Sequence, residues 1–301
     1  MLSLHTNVAT LAAQNSLSKT QSSLSTSMTR LSTGFRINSA MDDAAGLQIA
    51  TRLKAQTSGM AVDMRNTQNS TSMLQTAEGA LDEVSNMLVR MKDLATQSAD
   101  ASSNTDDKKA MQSEYDNLGK EIQNIMSNTK FGGQALLQGG TLSKKITFQI
   151  GADSSETMST SFSGELSAVN TAIGNATGSL FKGDGSTANA STGTKLATAA
   201  VAGPPTAPSG ASSAITSLST AIDAVSTLRS KIGATANRLD HVYNNLANIS
   251  SNTQAAAGRV MDVDFATESS SMTSNQMLLQ VGTAMLKQSN SMSSMVMSLL
   301  Q

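Results

Sequence analysis

All three prolines of this 301-residue chain stand between positions 204 and 208. Inside a helix proline removes a backbone donor and clashes with the preceding turn. With the helix breakers gathered in one stretch, the rest of the chain is free to run in long helices, and its apolar residues use that freedom. Leu218, Val225, Ile232, Leu239 and Leu246 recur every seven residues, with Val242 and Ile249 three positions further on. Such a repeat draws one stripe along a helix and requires a partner helix to bury it. The N-terminal half holds a matching row: Leu74, Leu81 and Leu88, with Val84 and Met91 beside them and Leu53 and Met60 extending it backwards. A shorter helix is expected after Ser103-Asn104-Thr105, whose side chains can cap it while Asp106 and Asp107 sit near the positive end of its dipole.

Strand signal is confined to one place. Residues 145–150 (Lys-Ile-Thr-Phe-Gln-Ile) alternate polar and apolar, Gly151-Ala152-Asp153 follows, and a weaker run occupies 157–162, which together predict a hairpin. Gly132-Gly133 and Gly139-Gly140 read as turns leading into it, because no Gly-Lys-Ser/Thr follows to make a phosphate loop. Residues 165–210 are Gly, Ala, Ser and Thr with few large apolar side chains, and are expected to form a loop-rich insert. The fold class is therefore mainly α: an elongated long-helix coiled-coil bundle with one small β-hairpin.

The two ends differ from the middle. Residues 1–41 contain no Asp or Glu, and from 265 to 301 the only charges are Glu268 and Lys287. Leu17, Leu24 and Leu31 form one seven-residue row with Met28 and Phe35 next to it; Leu278, Met285, Met292 and Leu299 form another, with Leu279, Leu286 and Leu300 alongside. A two-helix pair needs one narrow seam and a charged outside, whereas nearly uncharged helices with double rows expect neighbours on several sides. The ends are thus expected to be disordered in a monomer and to fold where further copies complete their burial. A surface that docks head to tail without closing builds a helical filament.

Other classes find little support. A net charge of -1 offers no basic field for nucleic acid, and the absence of Cys removes disulfides and thiolate chemistry. No run approaches the roughly 18 apolar residues of a membrane span, and the first residues lack the basic segment of a secretory leader, so a chain without membrane span or cleaved signal is expected. His5 and His241, the only histidines, have no carboxylate at metal-ligand spacing. Asp262 and Asp264 lack the Gly and distal Glu of a calcium loop, and Asp42-Asp43 suit a helix start better than acid-base work. No enzyme, cofactor or metal is expected.

Several segments carry a resemblance. Residues 31–40 (Leu-Ser-Thr-Gly-Phe-Arg-Ile-Asn-Ser-Ala), 42–47 (Asp-Asp-Ala-Ala-Gly-Leu), 75–81 (Gln-Thr-Ala-Glu-Gly-Ala-Leu), Gly233-Ala234 with Asn237-Arg238-Leu239, 259–268 (Arg-Val-Met-Asp-Val-Asp-Phe-Ala-Thr-Glu) and Ser298-Leu299-Leu300 resemble the bacterial flagellins over about 1–165 and 210–301. The resemblance implies an extracellular filament subunit of the flagellum, exported unfolded through the flagellar type III apparatus. Its partners would be copies of itself, an export chaperone on the C-terminal end, the filament cap and hook-junction proteins. Residues 1–44 and 257–301 would form the inner tube as paired N- and C-terminal helices, 45–164 and 211–256 the surrounding helical layer with its hairpin, and 165–210 a short variable surface insert whose hydroxyls are O-glycosylated in some relatives. The Met content, 18 residues with 7 in 261–301, departs from the Leu, Ile and Ala of the family and implies a softer interface.

In relatives sensed by the flagellin-specific Toll-like receptor, an Arg-x-x-x-Leu-x-x-Gln segment carries recognition. Here it is Arg90, Leu94 and Gln97, which share a helical face, with Glu114 on the next helix as an addition. Subunit packing is the other use of that face. Two alternatives stay open: a hook-filament junction protein, and a non-flagellar coiled-coil secretion or signalling protein, against which the uncharged ends argue.

Overall fold

The computed structural model describes residues 8–177 and 210–299, with side chains in the last helix as far as residue 292. The chain forms two compact units. One comprises the ends of the chain, up to Ser58 and from Ser250; the other is Gly59–Ile249. Six helices are described: α1 Val8–Thr33, α2 Ala44–Ala99, α3 Thr105–Asn128, α4 Ser163–Thr177, α5 Gly210–Met261 and α6 Phe265–Leu299. Helices α2 and α5 contribute residues to both units.

The unit 59–249 is built on the two predicted rows. Leu74, Leu81, Leu88, Val84 and Met91 of α2 and Leu218, Val225, Ile232 and Leu239 of α5 all lie in one buried cluster. Each row alone would leave a stripe in water; side by side they remove both. Tyr115, Ile122 and Met126 of α3 join the same cluster. Helix α3 starts where its cap predicts. Asn104 Oδ1 accepts from the Asp106 and Asp107 amides at 2.9 and 2.7 Å, and Asp107 returns the bond to the Asn104 amide at 3.2 Å, closing a capping box.

Strands β3 (Lys145–Gln149) and β4 (Thr157–Ser161) make the predicted hairpin, antiparallel with Phe148 opposite Met158, and both of these side chains point into the core. A shorter pair precedes it, β1 (Lys130–Phe131) and β2 (Gln134–Ala135), which the alternation pattern was too short to signal. Its connection is Gly132-Gly133, both at positive φ (57° and 83°), a conformation that L side chains resist and a two-residue hairpin turn needs.

One boundary differs from expectation. The stretch assigned to the loop-rich insert begins inside α4, whose Leu166, Val169, Ile173 and Ala176 seal one side of the core. Leu166, Val169 and Ile173 lie there at helical spacing, with Ala172 and Ala176 buried beside them. The remainder of that insert, 178–209, lies outside the described residues.

In the unit formed by the chain ends, α1 and α6 pack antiparallel. Thr10 hydrogen-bonds Ser289 at 3.1 Å, Leu17 lies against Gly282, and Arg30 reaches Glu268 at 3.6 Å. Each helix is set by a cap. Gly34, at φ 76°, ends α1 by donating to the Arg30 carbonyl at 2.9 Å; Asp43 opens α2 by accepting from the Gly46 amide at 2.8 Å; Asp264 opens α6 by accepting from the Ala266 amide at 3.0 Å. The segments between them pair as well. Arg36 donates its amide to the Met261 carbonyl at 2.6 Å, and Val263 donates to that of Gly34 at 3.0 Å.

Candidate self-association surface

The α1/α6 pair closes along one seam. Shielded positions on α1 are Ala13, Leu17, Thr20, Leu24, Ser27 and Leu31; on α6 they are Met272, Asn275, Leu279, Gly282, Leu286 and Ser289. Both sets alternate steps of three and four, the spacing of a coiled-coil seam. At Gly282 the helices approach closely: a Cβ there would stand 3.0 Å from Leu17 Cδ1.

This seam divides the residues predicted for self-association. Leu17, Leu24 and Leu31 are used inside the chain, and on α6 the seam takes Leu279 and Leu286 rather than the neighbouring row. Leu278, Met285 and Met292 are left facing outward, 57–64% exposed, with Met277 and Val281 among them; Met28 and Phe35 are exposed on the α1 side. Leu299 falls where side chains are not described. The two apolar rows of α6 thus differ, one packed within the chain and one exposed. Exposed apolar rows of this kind are uncommon on a monomeric protein.

Asp264 and Asp42 have their carboxyls held below the ordinary range by the groups that donate to them: for Asp264 the Thr267 hydroxyl first and then the Ala266 and Thr267 amides, for Asp42 the amides of Ser39 and Asn38. Both are spent on local caps and turns, as the sequence suggested for such acids. Among the described residues no three His, Asp or Glu gather to hold a metal ion, and no helix is long and apolar enough to cross a membrane.

The second candidate site lies in the unit 59–249. Arg90 Nη2 and Glu114 Oε1 are 2.7 Å apart, with a further bond from Nε at 2.9 Å, so the structure joins two residues that the sequence placed on separate helices. Gln97 is exposed beside the end of α2. Leu94 is not: at 3% exposure it belongs to the core, so a protein docking on the folded chain meets Arg90, Gln97 and Glu114 without it.

Sequence reasoning missed other polar links. The Arg229 guanidinium on α5 spans two acids of α2, at 2.6 Å from Glu78 and 2.9 Å from Asp82. Lys231 reaches Glu165 of α4 at 2.6 Å while lying over the Phe162 ring, and its hydrogen bond draws the Glu165 carboxyl below the ordinary range. Tyr115 donates to the Ala176 carbonyl at 2.7 Å; burial, with Asp116 nearby, pushes its hydroxyl far above the ordinary phenol. These partners are far apart in sequence, and no spacing rule connects them. All of them tie helices of the closed unit together.

Comparison with known proteins fits this geometry. The sequence model for the bacterial flagellin N-terminal helical region matches residues 4–141, and that for the C-terminal helical region matches residues 215–300. Polar flagellin F of Vibrio parahaemolyticus is 48% identical over 155 residues, covering 52% of this chain and 41% of that protein. Flagellin D of Vibrio cholerae matches with the same identity and coverage. The chain thus spans about two fifths of the length of the curated relatives it matches. Among solved structures, Bacillus cereus flagellin aligns at 32% identity with a TM-score of 0.43, over 64% of this chain and 94% of that one. A putative flagellar hook-associated protein from Vibrio parahaemolyticus aligns at 16% identity with a TM-score of 0.54, over 73% of this chain and 100% of that one, a likeness of fold. With both terminal regions matched and the helices between them in place, the chain belongs to the bacterial flagellin family.

Proposed function

We propose that this chain is a structural subunit that polymerises into the extracellular filament of the bacterial flagellum, with no catalytic role. The observation that carries the reading is the outward row Met277, Leu278, Val281, Met285 and Met292, left open on a helix whose other row is already packed. A copy seated on that row would itself present an open row, so addition continues. Membership in a family of structural proteins supports the same reading. The ends order fully when neighbours cover them; before that the chain travels unfolded through the type III export apparatus with a chaperone on its apolar C-terminal end. The filament cap and hook-junction proteins are its other partners.

The test is electron microscopy of the full chain after seeding with sheared filaments, beside a 45–255 fragment. Long filaments from the full chain alone support the reading. Filaments from both, or from neither, overturn it and bring forward the hook-filament junction protein or the isolated coiled coil.

A second use of the surface is supported by the exposed Arg90, Gln97 and Glu114, which together offer a flagellin-sensing Toll-like receptor a charge-assisted contact. Because Leu94 is buried, this contact is polar at its centre.

A further inference from the structure

The methionines divide between the two units. In the unit 59–249, Met60, Met87, Met91, Met126 and Met158 are all at most 7% exposed and Met64, Met73 and Met111 are partly shielded, while Met28, Met277, Met285 and Met292 on the terminal helix pair are 56–64% exposed. Met41, between α1 and α2, is 97% exposed. The chain has no Cys, so no thiolate within it competes for an oxidant and thioethers are its readiest targets.

We propose that Met28, Met277, Met285 and Met292 form a reversible oxidation site that decides whether a free subunit can join the polymer. The inference rests on the filament reading above. The oxidant is hydrogen peroxide. A sulfur lone pair attacks one peroxide oxygen, the S–O bond forms as the O–O bond breaks, and after proton transfer the second oxygen leaves as water. Sulfur is oxidised by two electrons and the peroxide is reduced by two. Reversal needs a dithiol reductant, which becomes a disulfide as the sulfoxide oxygen leaves as water.

The consequence follows from where the sulfurs sit. Three of the five residues in the open α6 row are Met, and each sulfoxide turns an adaptable apolar contact into a polar one that needs a partner when buried. The five core methionines are buried and Met64, Met73 and Met111 are partly shielded, so oxidation that stops at the most exposed sulfurs leaves the fold of the unit 59–249 in place. Once assembled, the row is covered and protected, which makes the free subunit the sensitive form.

The test treats the purified unassembled chain with hydrogen peroxide, maps the added oxygens by peptide mass spectrometry and measures elongation on seeds. Met41, Met28 and the three α6 row methionines should gain oxygen before the core set, elongation should fall at least about tenfold, and methionine sulfoxide reductases A and B with dithiothreitol should restore it. Preformed filaments should oxidise more slowly at the four. A variant carrying Met28→Leu, Met277→Leu, Met285→Leu and Met292→Leu should elongate normally after the same treatment; if it cannot elongate untreated, the reductase arm decides alone. Normal elongation of chains oxidised at the four, or failure of the reductases to restore it, overturns the proposal. Failure of the untreated native chain to elongate overturns the filament reading itself, and this inference with it.

Discussion

The two units use the same seven-residue grammar and finish differently. In the unit 59–249 the rows Leu74-Leu81-Leu88 and Leu218-Val225-Ile232-Leu239 are buried together, although Ile249 at the end of the α5 pattern stays 39% exposed; α3, α4 and the hairpin cover the flanks, and Arg229 and Lys231 bolt the helices together. In the unit of the chain ends two helices share one seam and leave a second row in water. A coiled-coil repeat alone does not tell whether a helix is finished; the width of its apolar stripe and the charge around it do. Nearly uncharged helices with spare rows are incomplete by composition, and the structure shows which row is spare.

The sharpest way to break this contrast is to put charge on the spare row. Leu278→Asp with Met285→Asp should abolish seeded filament growth, seen by electron microscopy, and leave the helical melting transition of the isolated chain unchanged, because both positions already face water. Normal filaments from this variant would show that the open row is not where copies meet. The reciprocal change is Leu81→Ala in the closed unit. Leu81 is fully buried in the main cluster, so its truncation should cost about 2–5 kcal/mol, read by urea unfolding of the monomer. A loss near that size here and none on the spare row would confirm that one unit is closed and the other open.

How much of this was legible beforehand depends on the kind of residue. Rows such as Leu74-Leu81-Leu88 and Leu218-Val225-Ile232-Leu239 were readable because periodicity is local and a long helix repeats it many times. The caps at Asn104, Asp43 and Asp264 were readable for the same reason. The choice between Leu279/Leu286 and Leu278/Met285 for the seam was not, since adjacent rows are equivalent until a partner helix and Gly282 favour one. Helix α4 was hidden by its small residues, and the fate of Leu94 was hidden because sharing a helical face with Arg90 does not fix which edge of that face the core reaches.

Asp63 sharpens the comparison from inside the closed unit. It is 4% exposed, its Oδ2 has no hydrogen-bond partner, and burial, with Glu156 nearby, raises its carboxyl above the ordinary range. A carboxyl raised on folding favours its protonated form in the native state. Its cost is therefore absent below the ordinary Asp range, grows as pH rises through the carboxylate range and is complete once the folded group has ionised. Asp63→Asn should stabilise the monomer at neutral pH by roughly 1 kcal/mol, and the gain should vanish as the pH falls through that range. Thermal melts of both proteins across the acid range check this; equal melting at every pH would mean that Asp63 is satisfied in solution.

The smallest effect concerns Arg90, whose side chain is 55% exposed and paired with a Glu114 that is 46% exposed. Surface pairs of this kind contribute about 0.2–1 kcal/mol, and salt screens them. Arg90→Ala should therefore leave urea unfolding within about 1 kcal/mol of the native chain. If the exposed polar group is what a receptor reads, the same variant should lose most receptor signalling in a reporter-cell assay, although its fold is intact. Leu94→Ala gives the opposite pattern, because its side chain is in the core: stability should fall by about 2–5 kcal/mol, and signalling should fall only as far as the folded fraction does. A Leu94→Ala protein that is fully folded and silent would mean that the receptor reaches a side chain which the free chain keeps buried, and would return the apolar anchor to the centre of the contact.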